Sequence, residues 1–352
     1  MRVLQITAPF RCILILYYDT LYSKEFVPET HIKKYGNKQK RSQQIAGPFL
    51  FSVQSSRRGI IMITKEEIRK LVEEFVDTSP VNRMGEAFGE EKMWDHPLVG
   101  FANGADPIFR EFKARNGCGT THWMPAEIFN KQFPDSHAKA EELTIVSWVL
   151  PQTEATKASM RCQDKWPSER WARARVIGEP INDEVRKYMI KTLSDMGYEV
   201  MAPVLHPEWT RLENDVQTFT SKWSERHIAH AAGLGTFSFS DALITRKGIA
   251  HRVGSVIIKA PLPPDKRPYT GRFDWCLYYA KGTCLQCVRR CPGENALTLE
   301  NGHLKRNCKA YSHGKTIPYI AEHYHIDGYG CGFCQTNVPC ESGIPAGIKV
   351  KN

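Results

Sequence analysis

The sequence predicts an α+β protein, with a body of mixed helices and strands over residues 62–265 and a small cysteine-rich region over 266–352. Three observations predict it. Helix-like and strand-like stretches alternate through the body without a regular repeat, as in a sandwich of sheet and helices. Eight of the eleven cysteines lie between Cys276 and Cys340. The character of the chain also changes abruptly at Met62, after a basic stretch with little apolar periodicity.

Composition supports a globular body. Of the 352 residues, 41% are hydrophobic and 24% charged, enough for one large domain plus a small one. No stretch approaches the roughly 20 apolar residues that span a bilayer. The net charge of +10 is unevenly placed: residues 1–61 hold ten Lys/Arg against three Asp/Glu, leaving only +3 for the rest. The body is therefore close to balanced, and its charge does not point to a nucleic-acid partner. Residues 12–18 form a short apolar run after Arg11 that lacks a small-residue cleavage site and matches a signal peptide poorly. Residues 1–61 are expected to be a disordered, dispensable extension.

The body's elements follow in order. Thr64 and Glu67 form a capping box, and Ile68, Leu71, Val72, Phe75 and Val76 follow at helical spacing. Residues 143–150 are apolar and rich in β-branched side chains, end at Pro151, and read as a buried strand. A helix is expected over 180–196, with Pro180 in its first turn and Gly197 as its stop, and strand character resumes from Tyr198 to Val204. Residues 224–234 suggest a further helix. Ala242–Thr245 and Val253–Ala260 flank Arg246, Lys247 and Gly248 as a candidate hairpin. The run from Gly233 to Ser238 resembles a dinucleotide fingerprint only superficially, because a helix precedes it and its third glycine is missing. Gly233 reads instead as a helix stop, or with Gly235 as a place where backbone approaches a bound cofactor.

The cysteines carry the chemistry. Cys284, Cys287 and Cys291-Pro292 follow Cys276, and Cys308 precedes Cys331, Cys334 and Cys340. In bacterial ferredoxin runs the cysteine before proline ligates the neighbouring cluster. The expected arrangement is two [4Fe–4S] clusters, one on Cys276, Cys284, Cys287 and Cys340, the other on Cys308, Cys331, Cys334 and Cys291. Lys281 stands where a ferredoxin run would carry its first cysteine, so Cys276 takes that role through a longer loop. A four-thiolate zinc site on Cys284, Cys287, Cys331 and Cys334 is the alternative, but it leaves four cysteines and the Cys-Pro signature unused. Disulfides suit small secreted domains better than a chain of this size. Such clusters are assembled inside cells, so the expected location is the cytoplasm.

Glu225-Arg226-His227 through Ala232-Gly233-Leu234-Gly235, the Gly254-Ser255 strand and the paired cysteine groups resemble the epoxyqueuosine reductase and reductive dehalogenase superfamily. Cys331 to Pro345 (CGFCQTNVPCESGIP) is similar to an epoxyqueuosine reductase-like branch. The resemblance covers roughly residues 140–345. It implies a nitroreductase-like domain over 62–265 that binds cobalamin, and a ferredoxin-like domain over 266–352 that feeds it electrons. It further implies a reductase site near residues 225–255, a low-potential donor such as ferredoxin or flavodoxin, and a small-molecule or modified-nucleoside substrate. The family's acidic proton donor precedes the Glu-Arg pair by a few residues, where the nearest acid here is Asp215. Asp241 and Glu225 are the candidate proton donors. Arg226, His227 and Arg252 are candidates for holding an anionic group, with Gly233 and Gly235 beside them. An electron carrier that docks a partner enzyme, or a redox sensor, stays open as an alternative, although a carrier needs little beyond the cluster region.

Overall fold

The computed structural model describes residues 62–114, 118–213 and 219–351. The expected N-terminal extension and Asp215 lie outside them. Residues 61–352 form one compact unit, and no helix among the described residues is long and apolar enough to cross a membrane.

The body is α+β, as expected. Helix α1 (Lys65–Thr78) starts on the anticipated capping box, and buries Ile68, Val72 and Val76 at four-residue spacing. Strand β1 (Leu98–Asn103) follows, then helices α2 (Ile108–Lys113) and α3 (Pro125–Gln132). Strand β2 (Leu143–Pro151) is buried at every position. Helices α4 (Glu154–Arg161), α5 (Glu169–Val176) and α6 (Gly178–Asp195) come next; Gly197, with φ +91°, follows the last of them. Only Val200–Met201 of the expected 198–204 strand pairs, as β3; Pro203 begins a 3₁₀ turn that ends it. Short strands β4 (Arg211–Leu212) and β5 (Thr220–Ser221) pair with each other and lead to helix α7 (Glu225–Ala231). Strands β6 (Gly235–Phe237), β7 (Leu243–Thr245) and β8 (His251–Lys259) complete the body.

The main sheet runs β1-β2-β8-β3, antiparallel throughout. It lies between two apolar layers. Val146, Trp148, Leu150, Val256 and Ile258 pack with α1 and α6, while Ile145, Val149 and Ile257 pack with α2, α3 and α7. Alternate residues of one strand serve opposite faces. Burial on both faces is why β2 reads in sequence as an unbroken apolar run.

The expected hairpin is corrected. Thr245 and Gly248 do close a tight turn, each N–H donating to the other's carbonyl over 3.0 Å. The two strands then part: β7 pairs with β6, and β8 joins the main sheet between β2 and β3. Gly254 faces Trp148 across the β2–β8 ladder, and a Cβ there would lie 2.5 Å from the indole. That indole reaches past it and donates to Asn182 Oδ1 at 2.9 Å.

The cysteine-rich region has much shorter elements: helices α8 (Leu277–Lys281), α9 (Gln286–Arg290) and α10 (Lys305–Lys309), and strands β9 (Leu297–Thr298) and β10 (Gly302–His303). A π-helical turn over 310–315 leads into α11 (Thr316–Tyr324). The region's apolar cluster is shared with the body through Phe239, Ile244 and Ile249, and several of its partly buried members are cysteines. Gly248 lets the two parts touch: a Cβ there would lie 2.0 Å from the Glu341 carbonyl oxygen, and Ile249 N donates to Cys340 O at 2.9 Å. Arg161 of α4 then grips Glu341 with both carboxylate oxygens at about 3 Å, and Lys157 donates to Ser342 Oγ at 2.8 Å.

Candidate functional site

The eight clustered cysteines fall into two groups by mutual proximity. Burial pushes the Cys287 thiol up to about 12, with Cys276 and Cys284 the next contributors. Burial also raises Cys340, again reinforced by Cys287, Cys276 and Cys284. In the second group burial takes Cys331 up to about 12, and Cys308 and Cys291 add to it. Cys334 is raised by burial and then by Cys331, Cys308, Cys287 and Cys291, so it lies at the junction. Cys334 therefore neighbours both groups, and the proximity of the thiols does not by itself assign ligands. A small cavity of about 30 Å³ is lined by Cys276, Cys284, Cys287, Cys334 and Cys340 among apolar side chains such as Phe239 and Ile244.

The donor chemistry fits iron–sulfur ligation. Buried thiols without a metal hold their protons near neutral pH, and a bound metal displaces them. Among the described residues no three His, Cys, Asp or Glu side chains converge as a single ion requires.

A second constellation lies between α7 and the β10–α10 segment. Arg226 donates from Nη1 to the Asp241 carbonyl at 2.5 Å. Asp241 sits at φ +59°, in the left-handed region that aspartate tolerates better than most residues. Its Oδ2 lies 3.1 Å from His303 Nδ1. Burial works against the Asp241 carboxylate, but His303, Lys305 and Arg226 outweigh it and hold its pKa below the ordinary value. Burial works against the protonated form of the same imidazole, but Asp241 and Cys308 outweigh it and raise its pKa, so His303 lies between Asp241 and the second cysteine group.

Next to this pair runs a directed chain of donors. Arg272 Nη2 lies 3.3 Å from His227 Nε2, and since a guanidinium only donates, that nitrogen accepts. His227 Nδ1–H then donates to Ser224 Oγ at 2.8 Å, and Ser224 is in turn a neighbour of the buried Cys118 thiol. Burial dominates both ends, driving His227 well below its ordinary value and Cys118 up to about 11. Burial likewise pulls the Lys305 ammonium below its usual range; Asp241, Arg226 and Arg272 are its charged neighbours, and the Cys118 thiol lies beside it. Three cations thus surround one carboxylate and one thiol.

The other anticipated residues are placed differently. Glu225 points inward: Ser255 Oγ donates to its Oε2 at 2.6 Å, and Arg186 Nη2 lies 3.1 Å from its Oε1. Burial pushes this carboxylate up to about 7, with Arg186 and Ser255 pulling the other way. Gly233, at φ +80°, is the residue just past the C-cap of α7. It lines an open groove with Arg69, His96, Arg246 and Lys351. Gly235 lies against the Ile244 carbonyl, where a Cβ would come within 2.3 Å. Arg252 shares its face of β8 with Gly254 and Val256, opposite Ser255, and meets Glu179 and Arg175 rather than Arg226. Cys118, Arg272, His303 and Lys305 escape sequence reading, because they lie 31 to 123 positions from Asp241 and no local pattern links them.

No protein-family model and no curated protein matches the chain. Among solved structures it is similar to an epoxyqueuosine reductase, at 17% identity and a TM-score of 0.39 over 81% of this chain and 67% of that one. It is also similar to epoxyqueuosine reductase from Bacillus subtilis, at 17% identity and a TM-score of 0.38 over 73% of this chain and 64% of that one. A catabolic reductive dehalogenase is similar at 16% identity and a TM-score of 0.43, over 71% of this chain but only 30% of that one.

Proposed function

We propose that this chain is an iron–sulfur reductase that carries electrons through two [4Fe–4S] clusters to a substrate or organic cofactor held at the Asp241 constellation. The observation that carries this reading is the placement of His303, whose Nδ1 meets Asp241 at 3.1 Å while Cys308 of one thiol group lies within its electrostatic reach, at the edge of the cation cluster. The first cluster is assigned to Cys276, Cys284, Cys287 and Cys340, the second to Cys308, Cys331, Cys334 and Cys291. When bound, the clusters supply single electrons from a low-potential donor such as a ferredoxin or flavodoxin.

The chain's own residues suit the receiving end of such a transfer. A group that gains electrons gains negative charge, which fixed cations in a water-poor site stabilise strongly. Arg226, Arg272 and Lys305 provide them. Asp241 is ionised, so it orients His303 and can pass on a proton only after receiving one. Lys305, with its lowered pKa, is the more ready donor in the cluster. Cobalamin, which the sequence resemblance implies, is part of the proposal, as is a small-molecule or modified-nucleoside substrate.

Protein purified without air should carry roughly eight irons per chain with matching sulfide. Extraction should release a corrinoid or a flavin. About one zinc per chain, or none of these metals, would overturn the cluster assignment. Iron-loaded protein without an organic cofactor or reductase turnover would favour the electron carrier. Asp241→Asn is expected to keep its iron and lose at least about tenfold in turnover, within the usual range for a proton-handling group.

A further inference from the structure

A separate cluster of charge lies where the cysteine-rich region crosses α5. Gly328 approaches Val176 so closely that a Cβ would lie 2.3 Å from its Cγ2, and this contact lays Tyr329 across the end of α5. Arg175 stacks on the Tyr329 ring, 4.4 Å from guanidinium carbon to ring centre, and its Nη2 donates to the Tyr329 hydroxyl. His313 stacks on the same ring with centroids 3.7 Å apart. Arg211, at the start of β4, lies within electrostatic reach of that hydroxyl. Arg252 projects from β8 into the electrostatic reach of Arg175, Arg211 and Tyr329.

Opposing charge is scarce here. Among the described residues the carboxylate acting on Arg252 is Glu179, 3.7 Å from its Nε, beyond hydrogen-bonding distance. Glu179 is also shared with Arg186 at 3.4 Å. The Arg252 Nε is buried and has no hydrogen-bond partner. Buried charged groups are ordinarily paired and hydrogen-bonded, because desolvation is costly otherwise. The cost is visible in Arg252, which burial, followed by repulsion from Arg175, lowers to about 10. Burial holds His313 down at about 4, so it adds an aromatic wall and no charge near neutral pH.

We propose that Arg175, Arg211 and Arg252, with the Tyr329 hydroxyl, form a binding site for a phosphate-type oxyanion. Guanidinium forks match oxyanion geometry, and three of them converging from different elements suit a tetrahedral, multiply charged group better than a planar carboxylate. The site draws one arginine each from α5, β4 and β8 and its tyrosine from the cysteine-rich region, so an anion bound there ties these elements together. The anion could be free inorganic phosphate or the phosphate of an organic ligand.

The test titrates the full-length, anaerobically purified protein with inorganic phosphate, with AMP, and with sodium chloride at matched ionic strength, read by calorimetry and thermal melting. Phosphate or AMP is expected to bind and to raise the melting temperature beyond the salt control. Arg211→Gln and Arg175→Gln should each weaken that binding at least tenfold with unchanged circular dichroism. Tighter binding of AMP assigns an organic phosphate, and tighter binding of inorganic phosphate assigns the free ion. A response no larger than the salt control, or binding unchanged in both variants, overturns the proposal. Should Arg175→Gln misfold, the exposed Arg211 carries the test alone. Iron content is measured on the same samples, so failure of the anion site is distinguishable from failure of the clusters.

Discussion

The central sheet of the body lies between two apolar layers, with Trp94, Trp148 and Trp223 among its fully buried side chains. The region from Trp275 onward has three helices of five residues, one of nine and strands of two, and its apolar cluster borrows Phe239, Ile244 and Ile249 from the body. Each large buried side chain in the body contributes about 1.5–3 kcal/mol, and there are dozens. Helices of five residues are far below the length that holds itself together in water. The two regions therefore differ in support: apolar burial within one, and in the other packing against the body together with, on the proposed reading, the ligated thiols.

Removing iron should break that comparison open. If the clusters hold the second region, chelation under reducing conditions should lower amide protection across residues 276–345 by about a hundredfold or more, a sub-global opening. Protection in β1, β2 and β8 should persist. Hydrogen exchange followed by mass spectrometry reads both regions at once. Equal loss in both would show one cooperative unit, and no loss in either would show that the cysteine-rich region needs no metal.

The body's own weak point is polar. Arg186 is almost fully buried and spans Asp183 at 2.5 Å, Glu225 at 3.1 Å and the Val253 carbonyl at 3.3 Å. Beyond the two-residue β3, the edge of β8 needs such a donor. Arg186→Met should cost about 3–5 kcal/mol, because it strands the buried Glu225 carboxylate. Adding Glu225→Gln should recover part of that loss. Chemical denaturation of the two variants checks both signs.

Gly254→Ala comes next in size. The added methyl meets the Trp148 indole and Asn182 Oδ1, at 2.5 and 2.6 Å, inside the stiffest part of the sheet. Overpacking of this kind costs about 1–3 kcal/mol. A denaturation midpoint unchanged from the parent would mean that the β2–β8 ladder yields more easily than its burial suggests.

What could be read from sequence was local. The Thr64–Glu67 box, the helix before Gly197 and the strand before Pro151 announce themselves within a dozen residues, and the cysteine spacing is itself a motif. Strand partners were not legible. The turn at Thr245–Gly248 is real, but whether β7 continues into β8 or turns back to β6 depends on the close approach of Gly235 to Ile244. Arg252 lies near Arg226 in sequence yet sits apart from it in the fold. Counting alternate positions along β8 would have set it on the face opposite Ser255. Cys118, Arg272, His303 and Lys305 are brought to Asp241 only by the packed tertiary structure.

Acid offers the smallest and most selective way to separate the regions. Burial holds three histidines of the body, His122, His230 and His251, at about 4, below the ordinary 6.5. Two of them hydrogen-bond backbone carbonyls: His230 Nδ1 to Gly235 O and His251 Nε2 to Leu243 O, both at 2.7 Å. A depressed histidine pKa means that the unfolded chain binds the extra proton first. This contribution to stability is complete above pH 6.5 and is lost progressively as pH falls from there toward 4. Each such histidine adds about 1.4 kcal/mol per pH unit to the slope in that window. His251→Gln keeps a donor for Leu243 O and removes the titration. It should flatten the body's stability profile between pH 6.5 and 4 by that amount, while leaving iron content at pH 7.5 unchanged. A slope identical to the parent's would mean that His251 titrates alike in the folded and unfolded chains, leaving the body's acid sensitivity to His122 and His230.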